Sequence, residues 1–522
     1  MQLPNAPYKI LALAPFAMAP SQPWHQAPLP VDRHSLDDAM QAMTIAGYLP
    51  LESELCPTRG LDLHFDNLKS LHPDGMVRSI PYLAMLMAAK EFIIQARRNG
   101  EHAAQILGEL RQRWPDLPAI NLKDSAPKPN AAKSSSSLDN LLDMVALPGQ
   151  DQSQKPVDQD ETRQIDTLLQ KVLNEIFDWS AFRQMEAAWR GLRLLLQQGI
   201  DETGPVVEIV PIDPESLAST LEAIAPLMIN HPPSLVLLDL PFDNSPLAME
   251  RLTTVAQWAD TVMAPLIAWT SPSFLHIDNW DQLSTLPFLP NHLDQPAYAK
   301  YQKLRQSPEG HWIGLTCNRF LIRYPYGSEN MPRSVAFTET SLPWVAPIWA
   351  LGTLIAQSVS QTGWPTHLTH RQQFNIQDLA LHSPAGLSPM AVEANINRDR
   401  QDQFIRSGLT PVVSERDTAF VTQAVSLSGA SLAYQLLICR MTQFLFWCKD
   451  NLPAETEPSI LETQLRLAFQ VLSEQSRPPA FESVTISTGR PNGEGRIPVN
   501  ISIVPSGSVL PSRQPIEMTL DW

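Results

Sequence analysis

The sequence predicts an α/β protein: a mostly parallel central sheet flanked by helices, a small N-terminal α/β domain and a strand-rich C-terminal tail. Three observations carry this. Between residues 206 and 269, apolar runs alternate with helical patterns in the order strand, helix, strand, helix, strand, which suits parallel strands joined by crossover helices. The middle run, Leu235–Leu240, is apolar at every position but Asp239, as suits a strand covered on both faces. In the tail, Ile497, Val499, Ile501 and Ile503 recur at every second position, and Met518, Leu520 and Trp522 repeat that period.

Taken in order, Tyr8–Ala14 reads as a first strand. Lys9 and the apolar run Ile10–Ala19, ending in an Ala-x-Ala at Ala17–Ala19, also fit a weak secretory signal. A single positive charge and Pro15 inside the run favour the strand. Ser35 is placed to cap a helix with Asp37 and Asp38 in its first turn, where the helix dipole favours acids. Leu36, Met40 and Met43 give that helix its apolar face, and Leu61, Leu63 and Phe65 alternate as a strand. Helices are expected near 76–97 and 101–114, closing a first unit at residues 1–123. From 124 to 160, Ser, Pro, Gln, Lys and Asp dominate, with four serines at Ser134–Ser137, which is linker chemistry. Inside the linker Leu138, Leu141, Leu142 and Val145 keep helical spacing. They read either as a docked turn or as a peptide motif for a partner's groove.

The third unit is residues 161–522. Ile165, Leu168, Leu169, Val172, Leu173 and Ile176 follow i, i+3, i+4 spacing, and Phe182, Met185, Trp189, Leu192 and Leu196 mark a second helix. Val206–Ile212 is a strand. Asp213-Pro214 starts a helix carrying Leu217, Leu221, Ile224 and Met228, Ser245-Pro246 starts another, and Ala264–Trp269 is a strand. Further helices are expected near 344–360, 392–406, 431–451 and 458–475. Gly489, Gly493 and Gly495 mark the turn between two tail strands.

Composition narrows the function. The chain has 522 residues, 43 % hydrophobic and 18 % charged, enough apolar residue for several cores and too little charge for general disorder. The formal charge of −16, with no basic cluster, argues against nucleic acid as a partner. The longest strongly apolar stretch, Ala346–Ala356, is too short to span a bilayer. Cys56, Cys317, Cys439 and Cys448 show no C-x-x-C spacing and read as buried thiols in a reducing compartment. No P-loop, G-x-G-x-x-G, H-E-x-x-H, EF-hand or G-x-S-x-G pattern occurs, so neither enzyme chemistry nor a cofactor is expected. His367 and His370, with His382 nearby, lack partners at metal-ligand spacing and read as an exposed loop. Arg440, among Leu436, Leu437, Met441 and Phe444, needs a buried partner or a way out along its helix face.

Several stretches resemble a known family. FRQMEAAWRGLRLLL (Phe182–Leu196), HWIGLTCNRFLIRYPYG (His311–Gly327), the region from Phe337 to Trp364 and that from Ile396 to Pro411 resemble, in order, the large subunit of the type VI secretion contractile sheath. Trp189, Arg190, Gly191, Tyr324, Tyr326 and Gly327 lie in the quoted motifs. Pro30-Val31-Asp32-Arg33 and LDLHFDNLKSLHPDGMVRSIPYLAML (Leu61–Leu86) resemble the small sheath subunit. The chain thus resembles a fusion of the two.

The resemblance implies a structural, cytoplasmic protein that polymerises helically with copies of itself around an inner tube protein, docks on baseplate components and contracts. It implies inter-subunit strands, for which the candidates are Ile10–Ala14 (Ile10, Leu11, Leu13), Ile497–Val504 (Ile497, Val499, Ile501, Ile503) and Glu517–Trp522 (Met518, Leu520). It also implies a AAA+ recycling ATPase as a partner, and Leu138, Leu141, Leu142 and Val145 are the best match to the segment such an ATPase recognises. A non-contracting scaffold derived from a sheath, and an α/β enzyme with an unrecognised site, are the competing readings.

Overall fold

The computed structural model describes residues 8–18, 24–122, 159–201, 204–229, 232–384, 386–452, 457–474, 479–491 and 496–522. Its centre is a seven-stranded sheet. The strands are β1 (Lys9–Ala14), β2 (Leu29–Val31), β5 (Val206–Pro211), β6 (Leu235–Phe242), β7 (Leu266–Thr270), β8 (Ile313–Cys317) and β11 (Leu409–Pro411). They lie in the order β11-β8-β7-β6-β1-β5-β2. All pair in parallel except β2, which runs antiparallel to β5. Helices cover both faces. On one side Ile10, Ala12 and Ala14 of β1 share a core with the helix Pro347–Thr362; on the other, Leu11 and Leu13 pack with the helices Leu217–Ile229 and Pro246–Thr261. The period-two alternation of a strand divides its side chains between the two layers.

This topology corrects one expectation. Ile10, Leu11 and Leu13 do not lie on a free edge. β1 pairs with β5 on one side and β6 on the other, and all three residues are 0 % exposed. An uninterrupted apolar strand is stabilised most where both faces and both edges are covered. Residues 8–122 therefore do not close a sheet of their own around β1. Their remaining strands, β3 (Ile45–Pro50) and β4 (Gly60–Phe65), form an antiparallel hairpin packed with the helices Pro73–Ser79, Pro81–Arg98 and Ala103–Arg113.

The tail forms a three-stranded antiparallel sheet from β14 (Phe481–Thr488), β15 (Pro498–Pro505) and β16 (Ile516–Asp521). Ile497, Val499, Ile501 and Ile503 point into a third core under the helices Leu432–Asn451 and Pro458–Glu474. β15 is the middle strand, so Ile497–Val504 is not an edge donor either; β14 and β16 carry the outer edges. Short pairs complete the set: β9 (Phe320–Leu321) with β10 (Trp344–Val345), and β12 (Val413–Glu415) with β13 (Thr418–Phe420).

Of the three helix starts expected from the sequence, one held in full. The Ser245 side chain accepts from the Ala248 amide at 3.2 Å, with Pro246 next in line. Asp213 Oδ1 accepts from the Glu215 and Ser216 amides at 2.8 and 2.9 Å, but within a turn: the helix itself begins at Leu217 rather than at Asp213-Pro214. Ser35 differs. It stands at the N-cap position of the helix Leu36–Met43 but makes no cap hydrogen bond, because its hydroxyl is engaged with Asp32 at 3.0 Å. The four cysteines are buried free thiols. No described helix is long and apolar enough to cross a membrane.

Candidate functional site: the seam between the two parts

The helix Ser180–Leu194 turns Phe182, Met185, Trp189 and Leu192 inward, and Glu186 falls on the same face at 4 % exposure. A carboxylate there needs a cation. Arg323 supplies it with two hydrogen bonds, 3.1 and 3.0 Å, and Arg190, one turn along the helix, adds a third at 2.7 Å. The other side of the Arg323 guanidinium forks onto Glu339 at 2.6 and 3.0 Å. Two arginines and two glutamates thus close a neutral buried cluster.

Tyr326 completes it. Its amide donates to Glu339 Oε2 at 2.9 Å, its hydroxyl meets Arg190 Nη2 at 3.3 Å, and Arg323 stacks 4.3 Å from its ring centroid. Burial alone would raise the pKa of Glu186, but the charges of Arg323 and Arg190 and their hydrogen bonds hold it at about 2. Burial likewise works against the charge of Arg323, and the two glutamates push its pKa further up.

The N-terminal part docks onto this cluster. His72 sets its ring edge-on to Tyr326, centroids 4.8 Å apart. It also caps the helix Pro73–Ser79, Nδ1 accepting from the Asp74 amide at 3.1 Å. The Asp74 carboxylate then accepts the amides of Arg333 and Ser334, at 2.9 and 2.6 Å, pinning the loop that follows Gly327. Burial opposes that charge, and the two amides outweigh it, so the Asp74 pKa falls below its ordinary value. Further ties run the length of the seam. The Trp189 indole donates to Phe16 O at 3.0 Å. Arg33 donates to Leu196 O and Gln197 O at 2.6 and 3.2 Å, serving the carbonyl end of the turn Leu195–Gly199. Lys90 pairs with Asp166 at 2.6 Å, and Asn121 exchanges hydrogen bonds with the Gln164 side chain at 2.9 and 3.1 Å.

Nothing here resembles a catalytic constellation. The cluster's charges are paired with one another, its tyrosine hydroxyl is taken by Arg190, and its histidine caps a helix and packs on the tyrosine. Its effect is to weld two stretches of chain into one body.

The comparisons match those two stretches. The VipB family, described as tail sheath N-terminal domain, matches residues 159–231 and 228–428, more than half of the chain. The chain belongs to the type VI secretion sheath family. The type VI VipA family matches residues 4–112, so small- and large-subunit sequences stand fused in one polypeptide. The type VI secretion system sheath protein TssC1 of Pseudomonas aeruginosa is 26 % identical over 288 residues, covering 49 % of this chain and 58 % of that protein. A sheath tail protein of Desulfitobacterium hafniense, known from a crystal structure, aligns at a TM-score of 0.36 and 6 % identity over 62 % of this chain and 64 % of that one. That likeness is too loose to define a fold.

Within the sheath sequence, five of the six motif residues meet at or beside the seam. Trp189 and Arg190 are described above. Gly191 abuts Trp349, and a Cβ there would lie 2.4 Å from the indole. Trp349 in turn donates to Asp239 at 2.7 Å, as Trp269 does at 3.0 Å. Burial raises Asp239 to about 6 against these two hydrogen bonds. Tyr326 lies in the cluster, and Gly327 takes a φ of +147° that favours glycine. Tyr324 is the exception: it is 37 % exposed. Glu186, Arg323, Glu339, His72 and Asp74 all lie in the stretches that carry the family resemblance, His72 and Asp74 as its His-Pro-Asp, but none was given a role from sequence. The signal was there in Glu186 and Arg323, charges set among residues whose spacing demands burial.

The histidine loop is corrected in part: His370 is exposed, as expected, but the other two are not. His367 is buried, its Nε2 against Ser508 O, and His382 Nε2 contacts Val392 O at 2.7 Å; both rings serve backbone carbonyls. Arg440 lies over the Tyr8 ring at 5.8 Å. Leu138, Leu141, Leu142 and Val145 lie outside the described residues.

Proposed function

We propose that this chain is a self-sufficient sheath subunit of a contractile injection machine, with the small and large parts held at one to one by fusion. Copies of the chain polymerise helically around an inner tube protein in the cytoplasm, dock on baseplate components, and shorten to drive the tube out. The observation that supports this reading best is the tail sheet. Among the described residues β16 pairs with β15 on one side only; on its other side the Asp521 carbonyl accepts from Lys449 Nζ at 3.0 Å, and the remaining outward main-chain groups are available to a strand from a neighbouring copy. Such a contact joins two different surfaces, and a contact of that kind whose rotation does not close grows an open helix. About five backbone hydrogen bonds, at roughly 0.5–1.5 kcal/mol each, give a few kcal/mol per link. The segment carrying Leu138, Leu141, Leu142 and Val145 is the proposed handle for a AAA+ recycling ATPase.

The test follows from the register. Ile497 and Trp522 exchange both backbone bonds, so by alternation residues 516, 518 and 520 bond β15, and the amides of 517, 519 and 521 face the open edge. Thr519→Pro removes one outward amide and leaves the ladder to β15 intact. Electron microscopy of the purified chain should show long hollow tubes, absent or much shortened in Thr519→Pro at unchanged circular dichroism. Compact monomers from both chains, with inner tube protein present, would overturn the reading. Tubes of fixed length under all conditions would favour the non-contracting scaffold.

A further inference from the structure

A crevice of about 440 Å³ opens at the C-terminal ends of β1, β6 and β7. The strand order places it where chain connections part: after β1 the chain leaves toward β2, beyond β5, and after β6 it leaves the other way, toward β7. Open α/β sheets bind ligands at such a point.

The chemistry of the lining selects the ligand. Asp239 lines the crevice at 6 % exposure, and its two described partners, the indoles of Trp269 and Trp349, are neutral donors. A carboxylate has about four acceptor positions, so two remain. Arg319 does not neutralise it, because Glu393 closes that guanidinium with bonds of 2.9 and 2.7 Å. Arg183 lines the crevice with its Nη2 on Leu342 O at 3.3 Å, and the exposed Asp278 lines it too. Three acids (Asp239, Asp278, Glu393) thus face two bases (Arg183, Arg319). The buried carboxylate is the one whose partners carry no positive charge. Trp269 and Trp344 contribute indole surface to the walls, which attracts cations; Arg319 already lies over one part of it, 6.0 Å from the Trp344 centroid.

We propose that this crevice binds an organic cation, a guanidinium, amidinium or ammonium group that pairs with Asp239 and lies against the indoles of Trp269 and Trp344. The inference does not rest on the sheath reading. It holds whether the cation is free or is the side chain of another polypeptide.

Titration calorimetry on the full chain near neutral pH tests it, with benzamidine as the probe and benzoate as the control of equal shape and opposite charge. Benzamidine should bind with a Kd of about 1 mM or tighter, and benzoate at least about tenfold more weakly. Asp239→Asn should weaken benzamidine about tenfold or more, with near-ultraviolet circular dichroism confirming the fold. Trp344→Ala, which spares both indole bonds to Asp239, should weaken it severalfold; if the Asn variant does not fold, this variant decides. A Gly-Arg-Gly peptide that binds more tightly than benzamidine assigns the cation to a polypeptide, and the reverse order assigns it to a free molecule. No benzamidine binding up to about 10 mM, equal affinity for benzoate, or unchanged affinity in the folded variants overturns the proposal.

Discussion

Replacing Glu186 by Gln keeps the shape of the side chain and removes its charge. Arg323 retains Glu339, but Arg190 loses the carboxylate 2.7 Å away. The magnitude follows from protonation. Folding lowers the pKa of this carboxyl from 4.5 to about 2, which corresponds to about 3 kcal/mol of stability at pH 7. A pKa lowered by folding stabilises the protein above the unfolded value and loses that contribution as pH falls toward the folded value. The difference between the natural chain and Glu186→Gln should therefore be about 3 kcal/mol at pH 7 and shrink to about 1 kcal/mol at pH 3. Urea unfolding followed by tryptophan emission at both pH values measures it; the shift in midpoint, at equal slope, is the readout. An equal loss at the two pH values would place the effect in packing rather than charge, and a loss below about 1 kcal/mol at pH 7 would refute the buried cluster as a determinant of the seam.

Gly191→Ala should lower the melting midpoint by the equivalent of about 1–3 kcal/mol, because the added methyl meets a Trp349 ring fixed by Asp239; calorimetry reads it. Asp74→Ala strips the acceptor from the Arg333 and Ser334 amides, and limited proteolysis should then cut faster between residues 327 and 334, with a stability loss of about 1–3 kcal/mol. Coexpressed fragments divided within residues 123–158 should purify together through the seam, while the C-terminal fragment alone, with β5 and β6 lacking the strand between them, should aggregate; recovery of soluble, monodisperse C-terminal fragment would contradict the shared sheet.

Elements whose stability is local were legible in the sequence. Leu235–Leu240 became β6, the expected helix near 431–451 became Leu432–Asn451, and the period of two in Ile497–Ile503 became the buried face of β15. Strand order was not legible, because an apolar strand reads alike at an edge and at a centre; only pairing with Val206 and Leu235, far along the chain, puts β1 in the middle. The cluster was half legible. Glu186 and Arg323 announce themselves as charges among apolar neighbours, but their separation of 137 residues hides the pairing. Tyr324 and Tyr326 stand in one motif two residues apart, and the sequence does not separate their roles. β9 ends at Leu321, however, and in the bends beyond it one ring enters the cluster while the other meets solvent.

The position of β1 also governs the order of events at the ribosome. Lys9 leaves the ribosome roughly 200 residues ahead of the strands that flank it, at Val206 and Leu235. At 5–20 residues per second this is a wait on the order of 10–50 s. Throughout it the run from Ile10 to Ala14 has no lateral partner in its own chain, and unpaired apolar strands are prone to non-native association. Two unlinked polypeptides would face that interval in addition to a search through solution. A single polypeptide faces the interval alone, since the strand and the slot it fills remain tethered from synthesis onward.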